Sequence, residues 1–121
     1  PCEQRWLYRA ASFLKQGVPL AGGSDAPFGS ANPWHIMHCA VERRTPSGAL
    51  MGINEALSPE QALALFLSPA RSPGHDNVEL CVGNRADLCL LHEPWEKVRM
   101  NLQACEVRYT WQGGKLIYAS N

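Results

Sequence analysis

The fold is decided around residues 17–27, which read Gly-Val-Pro-Leu-Ala-Gly-Gly-Ser-Asp-Ala-Pro. Residues 18–21 are apolar without alternation, a pattern typical of a short strand that is buried on both faces, as in a parallel sheet. Two glycines and the turn-forming residues 24–27 follow directly. The stretch therefore predicts a strand at 18–21 whose carboxyl end carries Asp25.

Asp25 is the candidate functional residue of this stretch. Open sheets and barrels place ligands and catalytic groups at the carboxyl ends of their parallel strands, where this carboxylate would lie. An aspartate before a tight turn also often accepts hydrogen bonds from backbone amides and then serves only to cap the turn. Position alone leaves both interpretations open.

Helices are predicted on both sides of the strand, which gives an α/β order. Apolar residues at spacings of three and four from Trp6 to Leu14 predict a first helix, which Gly17 is suited to end in a left-handed cap. Asn32 as N-cap and Pro33 as first helical residue predict a second helix.

The second and third helices have recognisable ends. We expect Arg43 and Arg44 in the last turn of the second helix, where positive charge suits the helix dipole. Residues 58–61, Ser-Pro-Glu-Gln, have the form of a capping box and predict the start of a third helix. Its inner face is expected to include Leu63 and Phe66.

After the break at Ser72-Pro73-Gly74 the pattern changes to β-type runs at 87–91, 105–111 and 116–118. The pair Gly113-Gly114 is suited to a hairpin turn. We therefore predict a small antiparallel sheet whose apolar face needs a covering layer. Asp87 precedes an apolar strand and is expected to bond backbone in a turn, which is a structural role.

Composition excludes several classes of function. Eleven Lys and Arg residues balance eleven Asp and Glu residues, so the net charge gives no general attraction to nucleic acid or to an anionic membrane. No apolar run approaches the roughly 18 residues of a membrane span.

Five cysteines without a Cys-x-x-Cys pair indicate neither a disulfide framework nor a zinc knuckle, and they favour a cytoplasmic location. Cys89, within an apolar run, is predicted to be a small buried hydrophobe.

Several segments together resemble the amidohydrolase superfamily. Residues 17–27 resemble the region of the eighth barrel strand in these enzymes, whose Gly-Ser-Asp or Gly-Thr-Asp holds an essential aspartate. Three short pieces look like the next helix in the branch related to N-substituted formamide deformylases: Pro33-Trp34, Ala40-Val41 and Arg43-Arg44-Thr45-Pro46.

Three later motifs occur in the family's order. Residues 67–71, Leu-Ser-Pro-Ala-Arg, are similar to the Asn-Pro-Ala segment of the last barrel helix, with Ser68 in place of the usual Asn. Residues 83–91, Gly-Asn-Arg-Ala-Asp-Leu-Cys-Leu-Leu, match the Gly-Lys-x-Ala-Asp-Leu-Val-Val-Leu signature at which the chain returns to a flanking β-sandwich. Residues 107–118 resemble the closing hairpin of that sandwich. Each motif is weak alone, but their common order makes coincidence improbable.

The resemblance implies an α/β fold of a particular kind, the C-terminal fragment of a TIM-barrel amidohydrolase. Residues 1–75 would supply the last strand and helices of the (β/α)8 barrel, and residues 76–121 the C-terminal strands of the β-sandwich. The chain begins Pro-Cys-Glu, without an initiator Met, and we expect it to be a section of a longer polypeptide. Barrel surface left uncovered by missing strands is expected to promote homo-oligomers.

The resemblance also implies a function, the metal-dependent hydrolysis of carbon–nitrogen bonds other than peptide bonds in a small amide-like substrate. Asp25 would bind the catalytic divalent metal, with zinc the expected ion, or accept a proton from the metal-bound water. The family's first ligands come from a His-x-His pair, which this sequence lacks. We therefore expect the chain alone to bind no metal and to be inactive.

Two other hypotheses stay open. His35 and His38 share a helical face and are suited to bind one metal together, which with Asp25 would make a small free-standing enzyme. Alternatively, the two histidines line a substrate pocket or lie on the surface, and they then bind no metal. The chain is also interpretable as a stand-alone α/β binding or interaction domain without catalysis.

Overall fold

The structure, a computed structural model, describes residues 3–76 and 78–120, and the chain divides into two compact units, residues 1–77 and 78–121. The first unit consists of short helices joined by loops, and the second contains a three-stranded antiparallel sheet. The chain is thus of mixed α/β class, as predicted. Within the described ranges, no helix is both long enough and apolar enough to cross a membrane.

The first predicted helix is divided in two. A 3-10 helix spans Glu3–Trp6, and helix α1 spans Ala10–Lys15. Tyr8 lies between them with a φ of 52°, a left-handed conformation that no helix continues through. The predicted left-handed cap is confirmed, because Gly17 follows α1 with a φ of 73°.

Helix α2 spans Pro33–Glu42 and begins as predicted, with the Asn32 side chain accepting a hydrogen bond from the Trp34 N–H. Its predicted end is wrong. Arg43 lies beyond the last helical residue with a φ of 52°, and Arg44 forms an isolated β-bridge with Leu50. The left-handed residue turns the chain away from the helix, so neither arginine lies in the last turn.

Helix α3 spans Pro59–Ala64, and its predicted capping box is confirmed. The Gln61 N–H donates to Ser58 Oγ over 3.1 Å, and the Ser58 N–H donates to Gln61 Oε1 over 2.9 Å. Helices α2 and α3 pack against each other, and Met37 and Ala62 are buried. A second 3-10 helix, Ile53–Glu55, contacts α1.

The strand predicted at 18–21 is not formed. Residues 18–25 have no regular secondary structure, and no strand is assigned in the described part of the first unit. A strand requires a ladder of hydrogen bonds to a neighbouring strand. Among the described residues the segment has no such neighbour, and the Gly22 N–H donates instead to the Leu65 carbonyl in the turn after α3, over 2.8 Å.

The second unit confirms the predicted antiparallel sheet. Strands β1, Leu88–Leu91, β2, Val107–Gln112, and β3, Lys115–Ala119, pair in the order β1-β2-β3. Gly113 and Gly114, with φ of 57° and 79°, form the β2–β3 turn, as two-residue hairpin turns require. Helix α4, Trp95–Val98, and a 3-10 helix, Leu102–Ala104, connect β1 to β2 and bury Val98 and Leu102.

Strand β1 is exposed on both faces. Leu88 pairs with Trp111 and Leu90 with Tyr109, so these side chains share one face, and both leucines are exposed. Cys89 points to the opposite face and is exposed as well, so the prediction that it is buried is wrong. The reason is that β1 is a four-residue strand at the edge of a sheet this small, which cannot cover its own faces.

Candidate functional site

Asp25 lies at the end of the irregular segment 18–25, in a turn built by its own main chain. The Asp25 carbonyl accepts hydrogen bonds from the Phe28 N–H over 2.9 Å and the Gly29 N–H over 3.1 Å. The peptide bond between Ala26 and Pro27 is cis. Asp25 itself has a φ of 53°, in the left-handed region that aspartate adopts more readily than most residues.

The Asp25 carboxylate does not cap this turn. It is exposed, and it forms no hydrogen bond or ion pair with the residues that the structure describes. The turn is capped by Ser24 instead, whose Oγ accepts from the Ala26 N–H over 3.2 Å. Asp25 is denied the equivalent bond because the residue two positions later, Pro27, has no N–H. The carboxylate is therefore available to a ligand.

The histidines considered with Asp25 do not join it. His35 is exposed and His38 is half-buried on α2, and His35 Nε2 lies 3.7 Å from Cys39 Sγ. Across residues 3–76 and 78–120, no three His, Cys, Asp or Glu side chains are grouped as metal ligands. Asp25 alone fits the part of one oxygen ligand, whereas a catalytic zinc takes three protein ligands.

Asp87 has the structural role predicted for it. Its Oδ1 accepts from the Gly113 N–H over 2.7 Å and lies 3.0 Å from Arg85 Nε. Of the other histidines, His75 is exposed, and His92 Nε2 lies 2.8 Å from Ser120 Oγ. The contacts of Asp87 and His92 are therefore structural.

A polar cluster of the buried residues Arg43 and Glu55 with the half-buried Ser12 was not predicted from the sequence. Glu55 accepts hydrogen bonds from Ser12 Oγ and, over 2.8 Å, from the Ser12 N–H. These two bonds, with the nearby charges of Arg9 and Arg43, hold the pKa of Glu55 below its ordinary value against the opposing effect of burial. The partners are 43 residues apart, so no local pattern indicates them.

Arg43 completes this cluster by binding main-chain carbonyls. Its Nε donates to the carbonyl of Met51 over 2.9 Å and more weakly to that of Gly52 over 3.3 Å. Its terminal nitrogens donate to the carbonyls of Leu7, over 3.0 Å, and Tyr8, over 3.3 Å. Because the charged groups are already bonded within the protein, the cluster has a structural role and not a ligand-binding one.

Two cysteines of the second unit are poor nucleophiles. Burial, together with the neighbouring Cys89 thiol and Glu106 carboxylate, raises the pKa of Cys105 to about 11. Although Cys89 is exposed, partial desolvation by its neighbours raises its pKa as well, and a hydrogen bond with Thr110 acts in the opposite direction. A reactive cysteine needs a lowered pKa, so these thiols do not form a catalytic site.

Comparison with known proteins relates both units to one family. The profile of the amidohydrolase family matches residues 1–118. The chain is 33% identical over 116 residues to an N-substituted formamide deformylase of Arthrobacter pascens. That similarity covers 93% of this chain and 21% of the deformylase, so the chain spans about a fifth of the length of this relative. No solved structure matches the chain significantly.

Proposed function

Because the chain belongs to the amidohydrolase family, we propose that it forms part of a metal-dependent hydrolase that cleaves a carbon–nitrogen bond other than a peptide bond. In this proposal residues 1–75 contribute the last strand and helices of a (β/α)8 barrel, and residues 76–121 contribute strands of the flanking β-sandwich. Residues 18–21 would then gain the neighbouring strands that their apolar sequence requires.

The observation that carries the proposal is the Asp25 carboxylate, which has no hydrogen bond or ion pair with the described residues. It is exposed, it follows an apolar segment, and its turn is held by Ser24 and by main-chain bonds. A non-glycine residue in the left-handed region is also a place where backbone strain is tolerated, and such places cluster at functional sites. These features suit a residue whose backbone is held in place while its carboxylate stays free to bind a ligand.

Asp25 would act on a metal-bound water or hold the metal itself. A divalent metal, zinc in our proposal, lowers the pKa of its bound water to about 7. The Asp25 carboxylate would either supply one oxygen ligand or accept the proton that this water releases, and pass it to the leaving nitrogen. One carboxylate does not make a metal site, so the 121-residue chain alone would be inactive and metal-free.

The substrate class is proposed by analogy with the relative. The name of the deformylase states that it acts on N-substituted formamides, which are amides. We propose a small amide-like substrate for the protein that contains this chain. A cytoplasmic location is proposed on the separate ground that its cysteines show no disulfide spacing.

The proposal is tested by Asp25→Asn in the protein that contains this chain. We expect the loss of about three powers of ten in kcat/KM on N-substituted formamides, the scale on which essential charged groups act. The matched control is Asp76→Asn, because Asp76 is also exposed and has a φ of 50°. Equal activity of the two variants would overturn the role of Asp25, and an absence of bound metal from the active protein would overturn metal dependence.

A further inference from the structure

The segment that leads to Asp25 is held at two points by the loop that follows α3. At the first point the Gly22 N–H donates to the Leu65 carbonyl over 2.8 Å. The Phe66 ring lies so close that a Cβ at residue 22 would be 2.8 Å from Phe66 Cζ. A side chain at residue 22 would therefore force the Phe66 ring to move, whereas a Cβ at Gly23 would meet nothing within 4 Å.

At the second point two stretches of backbone touch. A Cβ at Gly74 would lie 2.3 Å from the Leu20 nitrogen and 2.7 Å from the Leu20 oxygen. Real Cβ atoms do not approach backbone so closely, so the contact exists only because residue 74 has no side chain. Gly74 also has a φ of 73°, which glycine adopts without strain.

Ser68 fixes Gly74 in this position. Its Oγ accepts a 2.9 Å hydrogen bond from the Gly74 N–H and so closes the loop of residues 68–74. The bond is partly buried, and it joins residues six positions apart. Ser68 therefore controls where Gly74 lies, and Gly74 in turn supports Leu20, five residues before Asp25.

We propose that residues 65–74 form a platform that positions Asp25, with Ser68 and Gly74 as its positioning residues. The importance of this for catalysis rests on the proposed function. The platform touches residues 20 and 22, and only the main chain of Gly23 and Ser24 separates the second contact from Asp25. Ser68 acts only through Gly74 and the segment, so it is not a catalytic residue.

The test measures the position of Asp25 without metal or substrate. In the 15N-labelled chain, Ser68→Ala is expected to speed amide hydrogen exchange at Gly22 about two- to tenfold, the range of a lost neutral hydrogen bond. It should also shift the amide signal of Asp25, while the unfolding equilibrium constant in urea rises by no more than the same two- to tenfold factor. Ser68→Thr, which keeps the hydroxyl, should restore both readouts. Ser72→Ala is the matched control in the same loop and should change neither.

A glycine pair keeps the test decisive if Ser68→Ala fails to fold. Gly74→Ala and Gly48→Ala both place a side chain at positive φ, 73° and 83°, but a Cβ at Gly48 meets nothing within 4 Å. Only Gly74→Ala should move the Asp25 signal. The platform is overturned if Ser68→Ala leaves Gly22 and Asp25 unchanged, or if the two glycine variants shift Asp25 equally. Either result leaves the outcome of Asp25→Asn unaffected, so the two proposals fail separately.

Discussion

The Asp87 carboxylate accepts a 2.7 Å hydrogen bond from the backbone N–H of Gly113, 26 residues further along the chain. The same region is closed by a bond from the Gly114 N–H to the Ala86 carbonyl, over 2.9 Å. Together these bonds attach the residues before β1 to the turn between β2 and β3. A motif aspartate in this sheet thus fixes the end of a hairpin.

Removing this carboxylate is expected to loosen the hairpin. Asp87→Ala should destabilise the second unit by about 1 kcal/mol, the net value of one such hydrogen bond at a partly exposed site. Asp87→Asn keeps an acceptor oxygen and should lose less. Amide hydrogen exchange at Gly113 measures the effect, with Glu96→Ala, an exposed residue of α4, as control. Equal exchange in Asp87→Ala and Glu96→Ala would contradict the role of the bond.

Arg43 is predicted to be the most sensitive charged residue of the first unit. It is buried and donates to four backbone carbonyls, so Arg43→Ala should cost about 3 kcal/mol of unfolding free energy. Arg43→Lys keeps the charge but loses the planar fork, and an intermediate loss is expected. Urea denaturation checks this against Arg44→Ala, which is exposed and should change stability by less than about 0.5 kcal/mol. The idea fails if both alanine variants unfold at the same midpoint.

Glu55 is predicted to make the stability of the first unit depend on pH. Hydrogen bonds from Ser12 lower the pKa of Glu55 from its ordinary value of 4.5. A carboxyl whose pKa is lower in the folded state stabilises the fold above pH 4.5, and the effect is lost as pH falls through the folded pKa. Unfolding midpoints measured from pH 7 downward should therefore fall less steeply in Ser12→Ala, which removes the main cause, and in Glu55→Gln. An unchanged slope in both variants would refute the assignment.

Cys105 is predicted to react slowly with alkylating reagents. With a pKa of about 11, only about one thiol in a thousand is ionised at pH 8. In the unaltered chain, the rate of iodoacetamide labelling of the peptide that contains Cys105, followed by mass spectrometry, should keep rising up to about pH 11. Glutathione, labelled in parallel, shows the behaviour of a free thiol. A labelling curve for Cys105 that levels off with that of glutathione would disprove the raised pKa.

Exposed apolar side chains are predicted to make the 121-residue chain self-associate. Phe28, in the turn after Asp25, is 91% exposed, and a bare aromatic ring of this kind favours association. Sedimentation velocity should show a concentration-dependent shift that Phe28→Ser reduces. Leu80→Ser, at a residue of the second unit that is 87% exposed, tests whether that unit contributes instead. A single monomeric species at all concentrations would exclude self-association.

Features encoded by neighbouring residues were predictable from the sequence. The capping box of Ser58 and Gln61, the start of α2 at Asn32, and the glycine hairpin turn each depend on residues within a few positions of one another. Local hydrogen bonds and allowed backbone angles decide them, whatever the rest of the molecule does.

Features that need a distant partner were not predictable in the same way. The apolar sequence of 18–21 is suited to a strand, but a strand also needs neighbours, which the described residues do not provide. The helical spacing before Arg43 gave no sign that its guanidinium binds carbonyls 35 and 36 residues away. Glu55 likewise accepts a hydrogen bond from Ser12, which no periodic pattern connects to it.

Two neighbours of Asp25, Ser24 and Pro27, leave its carboxylate without a hydrogen bond in the turn. The Ser24 hydroxyl accepts a hydrogen bond from the Ala26 N–H, and Pro27 has no N–H to donate to the Asp25 carboxylate. Serine and threonine carry that hydroxyl on the same carbon, so a Gly-Thr-Asp sequence would keep the same hydrogen bond. Within the part of the chain described, the carboxylate then has no internal bond to break before it takes up a proton or a cation.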